Sequence, residues 1–268
     1  MKHHKPNAFE IINVINLIIL CLMMVAALPA SAAPMNIPVK WTDWISFTKS
    51  SEISQTPPSV DKGSALGTLA GIEVRYTGEV SYNPSSPEHH NQGTIIDGTF
   101  TNWTPVDIFG GELMSPNTQK DIIGIQGFYT GVNTIDFCKP GSDPCIPVYV
   151  HDPYFAIWSL GAIDQPNQRF DFIGMTPNFV VGGDNGFSGG RAITVIGNSV
   201  YGTEGSGIVQ FYGNYSQLKW TDTKVGTVDN YGFTVGLVPE PATLFLFAIG
   251  LAAMGLTTTR RNQRGKAQ

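Results

Sequence analysis

"GIEVRYTGEVSY", residues 71–82, sets Ile72, Val74 and Tyr76 against Glu73, Arg75 and Thr77. Side chains on an extended chain point alternately to opposite faces, so this stretch predicts a strand with one face in a core and one toward water. Further strand patterns follow at "GTIIDGTF" (93–100), "NTIDF" (133–137), "IPVYV" (146–150), "YFAIWSL" (154–160), "RFDFIG" (169–174) and "NFVVGG" (178–183). The series continues with "RAITVIG" (191–197), "GIVQFYG" (207–213), "SQLKWT" (216–221) and "YGFTVGL" (231–237). Gly, Pro, Asn and Asp clusters such as "NPSSPEHHNQG", "KPGSDP" and "GGDNGFSGG" separate them. Short strands punctuated in this way, with no stretch of helical period between Ala33 and Val238, predict an all-β body: a β-sandwich of jelly-roll type.

Composition agrees with one large β domain. Of 268 residues, 42% are apolar and 14% charged, which supplies a core but leaves a surface of neutral polar side chains. Between Ala33 and Leu237, 10 Lys and Arg stand against 19 Asp and Glu, a net charge of −9. An acidic body repels phosphate backbones, which argues against a nucleic-acid partner. It also disfavours non-specific adhesion to anionic polysaccharide.

The two ends differ from the body. At the amino end Lys2 and Lys5 precede an apolar stretch, Leu17 to Leu28, followed by Ala30-Ser31-Ala32. That order predicts a signal peptide over residues 1–32, helical in its apolar part, cleaved before Ala33. The rival reading is an uncleaved anchor, against which Asn13, Asn16 and Pro29 shorten the apolar length. Cys21 lies inside this segment, and the preceding "IIL" lacks the small residues of a lipoprotein processing site.

At the carboxyl end, residues 242–259 are apolar or hydroxylic, and as a helix they would span about 27 Å, enough for a hydrocarbon core. Arg260, Arg261, Arg264 and Lys266 come next and hold that end on the cytoplasmic side, leaving the acidic body outside. Pro239 and Pro241 keep the chain extended and present Glu240 just outside the membrane.

"VPEP", an apolar segment and an Arg-rich tail at the end of an exported chain resemble the PEP-CTERM sorting signal of Gram-negative bacteria that make extracellular polysaccharide. The resemblance covers residues 238–268. It implies an exosortase, a membrane-embedded cysteine transpeptidase-like enzyme, that recognises Pro239, Glu240 and Pro241 and cuts near them. A plain tail anchor is the alternative. The body, residues 33–237, is diffusely similar to the single extracellular domain of many PEP-CTERM proteins of unassigned activity. "WTDWISF", "GIEVRYTGEV", "VYVHDPYFAIWSLGAI", "GIVQFYGNYSQLKWT" and "YGFTVG" carry that likeness, which supports one continuous domain and brings no activity with it.

Cys138 and Cys145 bracket the turn-rich "KPGSDP", and an oxidising compartment favours joining them. Closing so short a loop is worth about 2.5 kcal/mol on the chain-entropy model. Chemistry is harder to find. His89 and His90 beside Glu88 read as a solvated loop rather than a metal site, and His151-Asp152 reads as a turn or bulge, since neighbours on a strand face apart. Asp97, Glu112, Asp171 and Glu204 are the carboxylates a glycosidase would draw on, but any acidic sandwich supplies such a set. Asp184 and Asn185 in "GGDNGFSGG" offer too few carboxylates for a calcium site; structural calcium elsewhere stays open without assignable ligands, and no cofactor is expected.

Trp158 and Trp220 lie in strand patterns and are expected inside, whereas Trp41, Trp44 and Trp103 sit near turn chemistry and are the candidates for stacking on sugar rings. The expectation is an exported, exosortase-sorted protein, anchored in the inner membrane before processing and then at the cell surface or in the extracellular matrix. Its role there is structural or interactive, without catalysis. A carbohydrate-binding module is the alternative and a glycoside hydrolase the third reading, with extracellular polysaccharide as the partner class.

Overall fold

A computed structural model describes residues 38–53, 60–80, 121–125, 127, 131–162, 168–183, 191–223 and 231–239. The expected signal helix, the transmembrane helix and "GTIIDGTF" lie outside the described residues. What is described is strand and turn, with no helix, and it belongs to one unit that begins at Ile37.

In chain order the strands are β1 (Lys40–Trp41), β2 (Asp43–Ile53), β3 (Val60–Leu69), β4 (Ile72–Glu79), β5 (Ile123–Ile125) and β6 (Asn133–Cys138). Then come β7 (Val150–His151), β8 (Tyr154–Leu160), β9 (Arg169–Phe172), β10 (Asn178–Gly183) and β11 (Thr194–Ile196). The last are β12 (Ser199–Tyr201), β13 (Gly205–Gln210), β14 (Asn214–Tyr215), β15 (Gln217–Thr223) and β16 (Tyr231–Leu237). An eight-stranded sheet has the order β11-β12-β9-β15-β6-β4-β3-β2. A six-stranded sheet runs β1-β16-β8-β13-β10, with β5 also on β16, and β7 pairs with β14 in a two-stranded ribbon. Every pair among the described strands is antiparallel.

The "GIEVRYTGEVSY" reading holds. Val74 and Tyr76 are buried, Thr77 is exposed, and Glu73 and Arg75 reach the surface of the eight-stranded sheet. Ala70 and Gly71, both at positive φ, make the two-residue turn that joins β3 to β4 in register, Leu69 opposite Ile72. The two sheets meet through aromatic side chains. Phe155 of β8 stacks on its neighbour Phe233 of β16 at 5.2 Å between ring centroids and meets Trp220 of β15 edge-on, also at 5.2 Å. Tyr76 packs against Phe233 from the other sheet at 5.1 Å. Trp158 and Trp220 are fully buried, as the sequence predicts.

The six-stranded sheet is apolar on both faces. Along β8, Phe155 and Ile157 enter the main core, while Ala156 and Trp158 join a second cluster with Ile122 and Ile208, and alternation places that cluster on the opposite face. This explains why "YFAIWSL" reads as an unbroken apolar run. From β8 to β16 the chain passes repeatedly from one sheet to the other: β8, β10, β13 and β16 lie in the six-stranded sheet, and β9, β12 and β15 in the eight-stranded one.

Two readings are corrected. "IPVYV" is not one strand, because only Val150 joins β7 while Pro147 makes a lone bridge with Cys138. The strand series also omits β2 and β3, a long hairpin whose Ser, Lys and Gly content carries weak strand preference.

Candidate functional site

β16 is buried from Tyr231 to Leu237 and hydrogen-bonded on both sides by β8 and β1. Its last residue, Leu237, is still in register with Lys40. Val238 and Pro239 therefore leave directly from the end of a sheet strand, half-buried, with no linker between strand and motif. They form one wall of a cleft of roughly 580 Å³ whose other walls include Ile72, Tyr149, His151 and Asn214. Of the expected sorting residues, Pro239 sits here, while Glu240, Pro241, Arg260, Arg261 and Arg264 lie outside the described residues.

The far wall of the cleft comes from the segment after the disulfide. Cys138 and Cys145 are bonded, as the sequence predicts. The loop they close is fastened to β4: Glu73 accepts a hydrogen bond from the Gly141 backbone N–H at 3.0 Å, and the Arg75 guanidinium donates to the Ser142 carbonyl. Glu73 also pairs with Arg75 at 2.6 Å. The Gly141 N–H, with the Arg75 charge and hydrogen bond, holds the Glu73 carboxyl below its ordinary range against a smaller opposing effect of burial.

His151 and Asp152 do meet, contrary to the alternation argument. Asp152 has φ of 50°, which breaks the strand and swings its carboxylate to 3.2 Å from His151 Nδ1. The turn reading of "HDP" thus holds, and the turn is what makes the pair. The other Asp152 oxygen accepts from the Gly213 N–H at 2.6 Å and ties β7 to β14. His151 is 58% exposed, so the pair is a hydrogen-bonding element of the cleft wall in contact with water.

At the other end of the same strands stand two acids, Glu79 buried and Asp222 half-buried. Asn133 opens β6, Glu79 closes β4 and Asp222 is near the end of β15. Asn133 Nδ2 donates to Asp222 at 2.5 Å, and its Oδ1 accepts from the Glu79 backbone N–H at 2.9 Å and lies 2.8 Å from the Tyr76 hydroxyl. The Glu79 carboxylate accepts from the Gly127 N–H at 3.0 Å. Oδ1 of Asp222 is buried without a hydrogen-bond partner among the described residues. Burial, and then the charge of Glu79, push the Asp222 carboxyl well above its ordinary range. Gly78 is required beside this group: a Cβ there would fall 2.1 Å from Asn133 Oδ1.

The carboxylates named from the sequence separate. Asp97 and Glu112 lie outside the described residues. Asp171 accepts hydrogen bonds from Arg169, Ser199 and Thr223; burial pushes its carboxyl up, but those bonds together outweigh it and the net direction is down. Glu204 accepts from the Ser159 hydroxyl at 2.5 Å, and burial raises its carboxyl against that bond. Ser159 has positive φ where β8 places two residues opposite one of β13, so its backbone belongs to a β-bulge. His89, His90, Asp184 and Asn185 lie outside the described residues, and among the described residues no three His, Cys, Asp or Glu side chains gather as a metal site would need.

Trp44 corrects the sugar-stacking reading. It is fully buried, with its indole N–H donating to Thr234 Oγ1 at 3.1 Å, so no sugar ring reaches it. Trp41 is half-buried over Gly236, and Trp103 lies outside the described residues. Among the described residues the exposed aromatics are instead Tyr149 at 72%, Tyr212 at 62% and Phe179 at 49%, which the sequence reading did not single out. Their signal was faint, since each adjoins turn residues within an apolar stretch.

Residues 237–261 match the model of the PEP-CTERM protein-sorting motif. None of the curated proteins and none of the solved structures matches the chain.

Proposed function

From a PEP-CTERM motif that begins on the last residue of β16, we propose a protein whose β-sandwich is delivered to the cell surface or extracellular matrix and acts there by structure or interaction, without catalysis. The motif implies an exported chain, anchored in the membrane before an exosortase cuts it. Arg260, Arg261 and Arg264 stop its translocation, because guanidinium groups are costly to carry through hydrocarbon. Polysaccharide of the matrix is the partner class of the proposal. The jelly-roll arrangement belongs to it too, supported by the repeated passage of the chain between sheets from β8 to β16.

The observation that carries the reading is the junction itself. A cut near Pro239-Glu240-Pro241 removes the membrane segment and leaves every described strand whole. The test is to express the chain with and without an exosortase and to weigh the product. Cleavage near Glu240 that fails in the Glu240→Ala variant supports the reading; a water-soluble product carrying Gln268 in both hosts sinks it.

A further inference from the structure

We propose that, before processing, the cleft end of the sandwich lies in the headgroup layer of the membrane that holds the chain's own C-terminal segment, with Tyr149 as its interfacial contact. The proposal rests on the anchored precursor read from the sorting motif. Its geometry comes from the length of the tether. Pro239 is a wall of the cleft, and the apolar run begins at Ala242. Three residues reach at most about 11 Å in any conformation.

The headgroup layer on each side of a bilayer is about 6 Å deep. A tether that short cannot hold the cleft clear of that layer by more than a few ångströms. The end of the sandwich it draws down presents side chains suited to the layer. Tyr149, 72% exposed, shares the cleft with Pro239; Ile146, 54% exposed, directly follows Cys145 of the disulfide. Tyr212, 62% exposed, adjoins Gly213, which is bonded to Asp152. Tyrosine favours the membrane interface because the ring enters the apolar side while the hydroxyl stays hydrated. Lys40, exposed on the strand paired with Leu237, Arg75 and His151 stand at the same end, with Glu73 and Asp152 as the nearby carboxylates, each paired to one of them or to backbone N–H.

The experiment uses the full chain in a Cys21→Ser background, with the Cys138–Cys145 bond intact and one new cysteine carrying an environment-sensitive fluorophore. Tyr149→Cys probes the cleft end. Val132→Cys, 42% exposed at the opposite end of β6, is the control. The chain is reconstituted in vesicles of phosphatidylethanolamine and phosphatidylglycerol containing a headgroup-level spin-labelled lipid. Quenching several-fold stronger at position 149 than at 132 is expected. Equal quenching at the two positions overturns the proposal, as does quenching weaker at 149 than at 132. Failure of the unlabelled chain to float with the vesicles removes the anchored precursor itself and is told apart by that readout.

Discussion

The two ends of the sandwich are built from the same strands and solve opposite problems. β4 runs from Ile72 at the cleft to Glu79 near Asp222, about 23 Å away, with the shorter β6 antiparallel beside it. At the cleft end the charged groups, Glu73, Arg75 and Asp152, bond to loop backbone and keep contact with water. At the far end Glu79 is buried and Asp222 half-buried; the Glu79 carboxylate is bonded to the Gly127 N–H and one Asp222 oxygen to the Asn133 amide, while the other Asp222 oxygen has no partner among the described residues. Water relieves an error more readily at the first end than at the second, so a polar group counts for more where it has fewer alternative partners.

The sharpest way to break this contrast is Asn133→Leu, which keeps the volume and removes the amide. Asp222 loses a donor, and the Glu79 N–H loses its acceptor. Each buried group left unpaired costs about 1–3 kcal/mol, so a loss of about 3 kcal/mol is expected in urea unfolding at neutral pH. A loss below about 1 kcal/mol would mean that the acids are held by something other than this amide. The counterpart at the cleft end is Cys138→Ser with Cys145→Ser. About 2.5 kcal/mol is the ceiling from chain entropy, and a smaller loss is expected because Glu73 and Arg75 still fasten the loop to β4.

How much of this was legible follows the same division. Strands with one wet face announce themselves by alternation, as in "GIEVRYTGEVSY", and the doubly buried β8 and β16 by unbroken apolar runs. β2 and β3 carry neither signal, since Gly63 and Gly67 take buried positions while Ile45 and Leu66 are exposed, and register comes from pairing β2 with β3 and β3 with β4. The disulfide and the sorting motif were readable because spacing and order along the chain define them. The Asn133, Glu79 and Asp222 group was not, because its members are 54 and 89 residues apart from Asn133 and meet only through strand register. Trp44 was misread for a related reason: "WTDW" looks like a turn, but Trp44 faces inward opposite Gly67, where a Cβ would lie 2.9 Å from its ring.

Asp222→Asn sharpens the comparison through pH. The folded carboxyl has a raised pKa, so between about pH 4, where the unfolded chain ionises, and the higher folded value the native state binds the extra proton. Stability from this group is complete below the unfolded value and is lost as pH rises through the folded one. The amide variant removes that loss, and a gain of about 1 kcal/mol at pH 8 is expected, shrinking toward pH 4, in thermal unfolding followed across the range. A variant less stable than the parent at pH 8 would show that the native state needs the ionised form.

Glu73→Gln tests the cleft end with the opposite sign and the smallest effect. Here the folded carboxyl is held below its ordinary range, chiefly by the Gly141 N–H, so its contribution is present above the unfolded value near pH 4.5 and disappears as pH falls through the folded one. The side chain is partly exposed, and water screens its pairing with Arg75, which limits the loss to about 0.5 kcal/mol at pH 7. Parent and variant should converge below pH 4, whereas the Asp222→Asn variant converges with the parent there from above. Combining Glu73→Gln with Asp222→Asn should give additive changes, because the two sites sit at opposite ends of the strands and share no partner. Coupling between them would mean that the shared strands transmit one end's ionisation to the other.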